Sequence, residues 1–126
     1  MKQFALILIS FIPLFVFSQN DTLTYQKTFY GNGVVKNEGL ITSNGVKHGL
    51  WIKRNKKGMK TSSGEYNYGI QEGLYTCYYL DGSILFTAEF KDGKRHGKFI
   101  DYNQDGTIKK VRVYENGKVI SKKRLE

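Results

Sequence analysis

His48 and His96 occupy the same place in two stretches of the chain that otherwise read alike, and Glu72 stands midway between them. Imidazole and carboxylate groups are ordinary metal ligands and ordinary acid–base catalysts. The interval decides against both uses. Each step is 24 residues. If each step adds two strands to a sheet, the histidines stand four strands apart, on the order of 19 Å at 4.8 Å per strand. One metal cannot bridge that, and the expectation is a pair of exposed loop histidines. Glu65 and Glu89 share another position, which suggests a cross-strand or turn contact; a general acid and base is the competing reading. Gly31-Asn32-Gly33 lacks the third glycine and the helix of a phosphate loop. The chain has no P-loop, nucleophile elbow or zinc-ligand spacing. Cys77 is its one cysteine, so no intramolecular disulfide forms. Lys53 and Asp101 replace it in the neighbouring units, which marks an incidental half-buried thiol. The expectation is a non-enzyme with no cofactor and no small-molecule substrate.

Charge is the stronger lead. The chain carries 20 Lys and Arg against 11 Asp and Glu, a formal net charge of +9. Lys47, Lys53, Arg54, Lys56, Lys57 and Lys60 fall in one stretch without an acidic residue, and Lys91, Lys94, Arg95 and Lys98 form a milder cluster. Lys122, Lys123 and Arg124 sit near the end. Basic residues interleaved with Trp51 and Tyr75 on a sheet could hold a polyanion such as anionic lipid, acidic glycan or nucleic acid. The plainer role is solubility, with lysines guarding the last edge strand against strand addition. If corresponding positions stack in register, Lys53 and Arg54 fall along one side of the sheet with Lys94 and Arg95, and Lys56 and Lys57 extend the basic strip at the strand end and turn.

The elements that would position these residues are set by glycine. Gly45, Gly69, Gly93 and Gly117 recur at one 24-residue beat, Gly49, Gly73 and Gly97 at a second, and Gly58, Gly82 and Gly106 at a third. Gly33 belongs to the third series but lies one residue out of step. Aromatics keep the beat at Trp51, Tyr75 and Phe99, and again at Tyr66, Phe90 and Tyr114. Such self-similarity marks an array of one small unit. Within a unit, segments 74–80 and 83–91 are β-formers without helical period, closed by Asp81-Gly82 and Asp92-Gly93. An Asp-Gly pair between β-formers is a strong hairpin signal, since its turn needs φ > 0 at both central residues. The reading is a tight turn at Asp81-Gly82 and a longer loop at each G-x-x-x-G. Segments 49–55, 59–68, 97–103 and 107–115 repeat the pattern, 22–30 and 34–41 form a degenerate first pair, and 118–124 a final lone strand.

Short connections between successive strands favour an antiparallel meander. Along 74–80, Tyr75, Cys77 and Tyr79 point one way and Leu74, Thr76, Tyr78 and Leu80 the other. Both faces are semi-apolar. The expected fold is all-β: an elongated, twisted single layer in which aromatics stack from unit to unit, with a closed barrel as the alternative. Gly45, Gly69, Gly93, Gly117, Gly58, Gly82 and Gly106 are the expected structural turns.

The ends carry a separate message. Lys2 precedes an apolar run from Phe4 to Phe17, and Val16 and Ser18 are the small residues a signal peptidase reads, so residues 1–18 look like an export signal. The run is short of the roughly 20 residues a membrane-spanning helix needs, and Pro13 interrupts it. Residues 19–126 would form one repeat domain in the periplasm, on the cell surface or in the medium.

Taken together, Asp81-Gly82, Glu89-Phe90, Asp92-Gly93, Gly97 and Phe99 resemble the MORN repeat in its bacterial variant. The pattern recurs at Gly58, Glu65-Tyr66, Gly69, Gly73 and Tyr75, and in shortened form at Asp105-Gly106, Tyr114 and Asn116-Gly117. The resemblance covers about residues 33–117. It implies strings of β-hairpins in an open sheet that serve as binding or scaffold modules, linked in other proteins to membrane lipids and protein partners. Bacterial proteins of this kind are often labelled antitoxin components, which fits poorly with an export signal. The expected function is a non-catalytic exported module that binds a protein partner or an anionic membrane or glycan surface. The rival is a toxin-neutralising partner. Nucleic acid ranks below both.

Overall fold

The computed structural model describes residues 21–125. The export signal expected over 1–18 lies outside them. Nine strands follow in order: β1 (Thr24–Phe29), β2 (Val35–Ile41), β3 (Lys47–Arg54), β4 (Lys60–Asn67), β5 (Ile70–Tyr78), β6 (Ile84–Lys91), β7 (Lys94–Tyr102), β8 (Ile108–Glu115) and β9 (Lys118–Arg124). Each pairs antiparallel with the next in a single sheet of order β1 to β9. The sheet stays open, so the meander holds and the barrel does not.

The turns reverse one expectation. The tight two-residue turns are Tyr68-Gly69, Asp92-Gly93 and Asn116-Gly117, where the non-glycine residues have φ of 45°, 50° and 48°. Both central residues lie at positive φ, as the favoured two-residue hairpin turn requires. At Asp81-Gly82 only Gly82 does. There Gly82 N–H donates to the Tyr79 carbonyl and Tyr79 N–H to the Ser83 carbonyl, closing a three-residue loop. The loops ending at Gly33, Gly58 and Gly106 have the same pair of bonds. Gly45 closes a loop of this longer kind as well, between Thr42 and Val46, which absorbs the residue that puts Gly33 out of step.

The G-x-x-x-G segments are not loops. Each starts at a turn glycine (Gly45, Gly69 or Gly93) and runs on into β3, β5 or β7, where the second glycine forms a bulge. Opposite Glu65 of β4 lie Glu72, Gly73 and Leu74, because Gly64 pairs with Tyr75 and Tyr66 with Gln71. The Glu65 carboxylate accepts a bond from Leu74 N–H at 2.8 Å, and Glu89 accepts one from Lys98 N–H at 2.5 Å. A Cβ on Gly73 or Gly97 would collide with that carboxylate, and both residues sit at positive φ. Glu65 and Glu89 are therefore turned to their own bulges, as the cross-strand reading anticipated.

A single layer needs a way to bury apolar surface without a second layer above it. Here one row of directly paired residues alternates large and small from Trp51 through Gly64, Tyr75 and Ala88 to Phe99, and then ends on the long side chain of Arg112. The rings lie down over the small residues of the adjacent strands. Trp51 is only 7 % exposed and Ala88 1 %. Phe86 stacks on Phe99 with centroids 4.9 Å apart, and Tyr114 closes the row beside Phe99 at 6.0 Å. The opposite face carries a plainer row, Ile52, Ser63, Thr76, Thr87, Ile100 and Val111. Bonds across the repeat tie the units together: Gly69, Gly93 and Gly117 N–H donate to the carbonyls of Lys47, Gln71 and Arg95.

Candidate functional site

The meander separates the sheet's strand ends into two rims. One rim holds the three-residue loops around 30–34, 55–59, 79–83 and 103–107; the other holds the turns at 42–46, 68–69, 92–93 and 116–117. Lys56 and Lys57 belong to the first rim. Lys94 and Arg95 follow the Asp92-Gly93 turn on the second. The two basic clusters therefore do not share one side. Corresponding positions do stack in register, but Lys53 corresponds to Cys77 and Asp101, whereas Arg95 corresponds to Lys47 and Gln71.

The individual side chains divide further. Arg54 is half-buried and pairs with Glu38 at 3.0 Å. It also donates to the Gly58 carbonyl at 3.2 Å, while its own carbonyl accepts the Tyr30 hydroxyl at 2.7 Å. These contacts make it a brace between loops. Arg95 is exposed, but its guanidinium lies 5.2 Å from the Phe99 ring and 5.4 Å from Tyr114. Trp51 is no surface platform: it is buried, and its indole N–H donates to the Leu40 carbonyl at 2.8 Å. Tyr75 is half-buried on the same face. Lys53, Lys56, Lys57 and Lys94 are exposed.

The histidines lie on strands rather than in loops, and both are half-buried. His48 Nδ1 accepts the N–H of Tyr68 at 3.2 Å, and His96 Nδ1 that of Asn116 at 3.4 Å. Between them, Glu72 accepts the N–H of Asp92 at 2.8 Å. The shared position thus caps the positive-φ turn residue of the next hairpin, a task for any short side chain with an acceptor. With His48 on β3 and His96 on β7, the four-strand separation stands. Among the described residues, no group of three His, Cys, Asp or Glu side chains is placed to hold a metal. Cys77 is half-buried and its thiol donates to the Thr61 carbonyl at 3.3 Å.

Among the hollows of the described residues, two combine aromatic or apolar surface with a basic side chain in a way that suits a ligand. The larger, about 600 Å³, opens on the first rim between Tyr30, Met59 and Leu80, with Lys56 and Lys57 beside it. Leu80 at a loop tip is 75 % exposed. The Lys36 ammonium lies 5.6 Å from the Tyr30 ring. Charge reading found the lysines, but not the apolar surface, because Met59 and Leu80 belong to different hairpins.

The smaller hollow, about 290 Å³, lies mid-sheet on the aromatic face. Tyr66, Gln71, Tyr75, Phe86, Phe90 and Arg95 line most of it. Burial, and secondarily the neighbouring Tyr75, push the Tyr66 phenol above its ordinary value. Two features of this face escape the glycine beat. Gly39 and Gly64 are the small partners of Trp51 and Tyr75, but their column continues as Ala88 and Arg112. Arg112 covers Phe99 at 4.1 Å and pairs with Asp101 at 3.0 Å.

No protein-family model matches the chain, and neither curated proteins nor solved structures offer a match to it.

Proposed function

We propose that this chain is a non-catalytic, exported binding module that docks on an anionic lipid surface by its loop rim. The observation that carries the reading is the combination at the first rim. Exposed Leu80 and Met59 stand beside Lys56 and Lys57 in one open hollow. Apolar tips that enter the interface and cations that meet lipid phosphates are the two contributions a peripheral membrane contact needs. Each lysine near an anionic surface contributes about 1 kcal/mol, within a Debye length. The resemblance to MORN repeats, whose members serve as binding and scaffold modules, points the same way.

Co-sedimentation with choline-free phosphatidylethanolamine vesicles with and without an anionic phospholipid, at low and high salt, tests the proposal. Binding should require the anionic lipid and fade as salt rises. Replacing Lys56 and Lys57 with Gln should weaken it about 30-fold, the equivalent of about 2 kcal/mol for two cations. Leu80→Ser should weaken it as well, whereas Lys94→Gln on the opposite rim should not. Equal weakening from Lys94→Gln would reduce the attraction to overall charge and defeat the rim assignment. Arg54 is left alone in this test because a change there breaks its bond to Glu38.

A further inference from the structure

The repeats provide their own comparison for the mid-sheet hollow. In the unit around β3, the Lys47 ammonium sits 4.9 Å from the Trp51 ring and 5.0 Å from Tyr66. In the unit around β7, the Arg95 guanidinium sits 5.2 Å from Phe99 and 5.4 Å from Tyr114. The corresponding residues of the middle unit are Gln71, Tyr75 and Phe90. The ring pair is kept, with centroids 6.2 Å apart and the rings near perpendicular at 74°. The cation is not kept. Gln71 is shorter and uncharged, and the 290 Å³ hollow opens over that pair. Electron-rich ring faces at this spacing attract ammonium groups, alkylated ones included.

We propose that the middle unit is a ligand site in which an alkylated ammonium takes the place that Lys47 and Arg95 fill in the flanking units. The surroundings restrict the ligand further. No carboxylate lines the hollow, and Arg95 lies on its rim. A bare cation would meet only like charge there. A ligand that carries its own anion a few ångströms from the ammonium removes that conflict, since the anion can face Arg95 while the ammonium faces Tyr75 and Phe90. The chemical class is therefore a zwitterion of the phosphocholine type. The site is on the sheet face and independent of the loop rim.

The test is titration of the protein with phosphocholine, choline and inorganic phosphate, followed by amide chemical shifts and calorimetry. Phosphocholine should bind saturably at one site, at least tenfold more tightly than choline or phosphate alone. Gln71→Lys rebuilds the cation found in the flanking units and should weaken binding at least tenfold while the melting temperature holds or rises. Lys47→Gln bares Trp51 and Tyr66 but leaves Gln71 where the middle unit has Arg95, so the stoichiometry should stay at one. Should Lys47→Gln unfold, Gln71→Lys alone decides. Absence of saturable binding, phosphate binding as tightly as phosphocholine, or undiminished binding by Gln71→Lys would each overturn the assignment. Vesicles of phosphatidylcholine distinguish the two sources of this group. Sedimentation lost in Gln71→Lys identifies a lipid headgroup; binding confined to soluble phosphocholine identifies a soluble or carbohydrate-borne one.

Discussion

Replacing Gly39 with alanine should be among the most damaging single-methyl changes in the sheet. A Cβ built at Gly39 lies 2.6 Å from Cδ2 and Cε2 of Trp51 and 2.7 Å from Cδ1. Carbon atoms rest about 3.5–4.0 Å apart, so the indole would have to lift by about 1 Å. Its N–H bond to the Leu40 carbonyl, now 2.8 Å, would then pass the limit of a hydrogen bond. Overpacking costs about 1–3 kcal/mol, and the lost bond about 1 kcal/mol more. Alanine returns about 0.4–1 kcal/mol by restricting the unfolded chain. The net loss is about 2–3 kcal/mol, or a melting temperature lower by about 10–20 °C for a domain of this size. Trp51 is the one tryptophan, so its fluorescence reports the event directly, and the native emission should shift to the red as the ring meets water. Gly64→Ala should cost less, about 1 kcal/mol, since only Tyr75 Cδ2 is tight, at 2.9 Å. Ala88 already shows that this column tolerates a methyl beneath a ring. Gly31→Ala is the control: nothing lies within 4 Å of its Cβ and its φ is not positive. Should Gly39→Ala melt with the wild type and leave the emission unmoved, the large-small row is not what holds the layer together.

The turns and bulges make three further outcomes measurable. Gly82→Ala meets open space and bears only the positive-φ penalty of about 1–2 kcal/mol. Gly97→Ala adds a collision with the Glu89 carboxylate and should cost more in denaturant melts. His48→Ala and His96→Ala each remove one exposed turn bond and should cost at most about 1 kcal/mol; a larger loss than Gly97→Ala would contradict the capping role. Hydrogen bonds to carboxylate hold Asp81 and Asp105 below the usual aspartate range, Asp81 through the hydroxyl and then the N–H of Ser83, Asp105 through those of Thr107. A carboxyl depressed in the folded state stabilises it above the unfolded value of about 3.9. That contribution drains as pH falls through the lower folded value. Denaturant midpoints measured from pH 6 to pH 2 should therefore fall at the acid end, and by less in an Asp81→Asn, Asp105→Asn double variant. Asparagine keeps the acceptor, as Asn32 shows by accepting the Val34 N–H at 3.1 Å.

Strand number, order and much of the placement were legible because glycine and aromatic spacing repeat a backbone requirement that packing cannot alter. Turn type was not. Asp81-Gly82 and Asp92-Gly93 look identical as dipeptides, yet Leu80 is drawn into the first turn and nothing comparable into the second. The difference lies in register. The bulge at Gly73 or Gly97 consumes strand residues opposite one glutamate, and that fixes where pairing ends. A glycine at positive φ within a strand and one within a loop carry the same letter. The basic strip failed for a related reason. In a meander, residues at opposite ends of one strand are distant, however close their loops look along the chain. Arg54 was misread because Glu38 reaches it from the first hairpin, outside the regular beat.

The repeats also supply a rule for separating scaffold from function within a single chain. Where all units agree in residue type, as at Gly49, Gly73 and Gly97, the position answers to backbone geometry. Where they differ but perform one task, as His48, Glu72 and His96 do in capping turns, chemistry is interchangeable and still structural. The informative positions are those where one unit abandons the task. Gln71 is such a position, since Lys47 and Arg95 on either side both cover their ring pairs. Leu80 is another, standing exposed at a loop tip where the next unit has Gln104 and the preceding one Lys56. An apolar tip in water gains nothing for a solitary sheet, and a ring pair without its cation loses a contact that its neighbours retain. Both departures fall at open hollows. That coincidence is the strongest reason to seek ligands there before seeking them along the lysines.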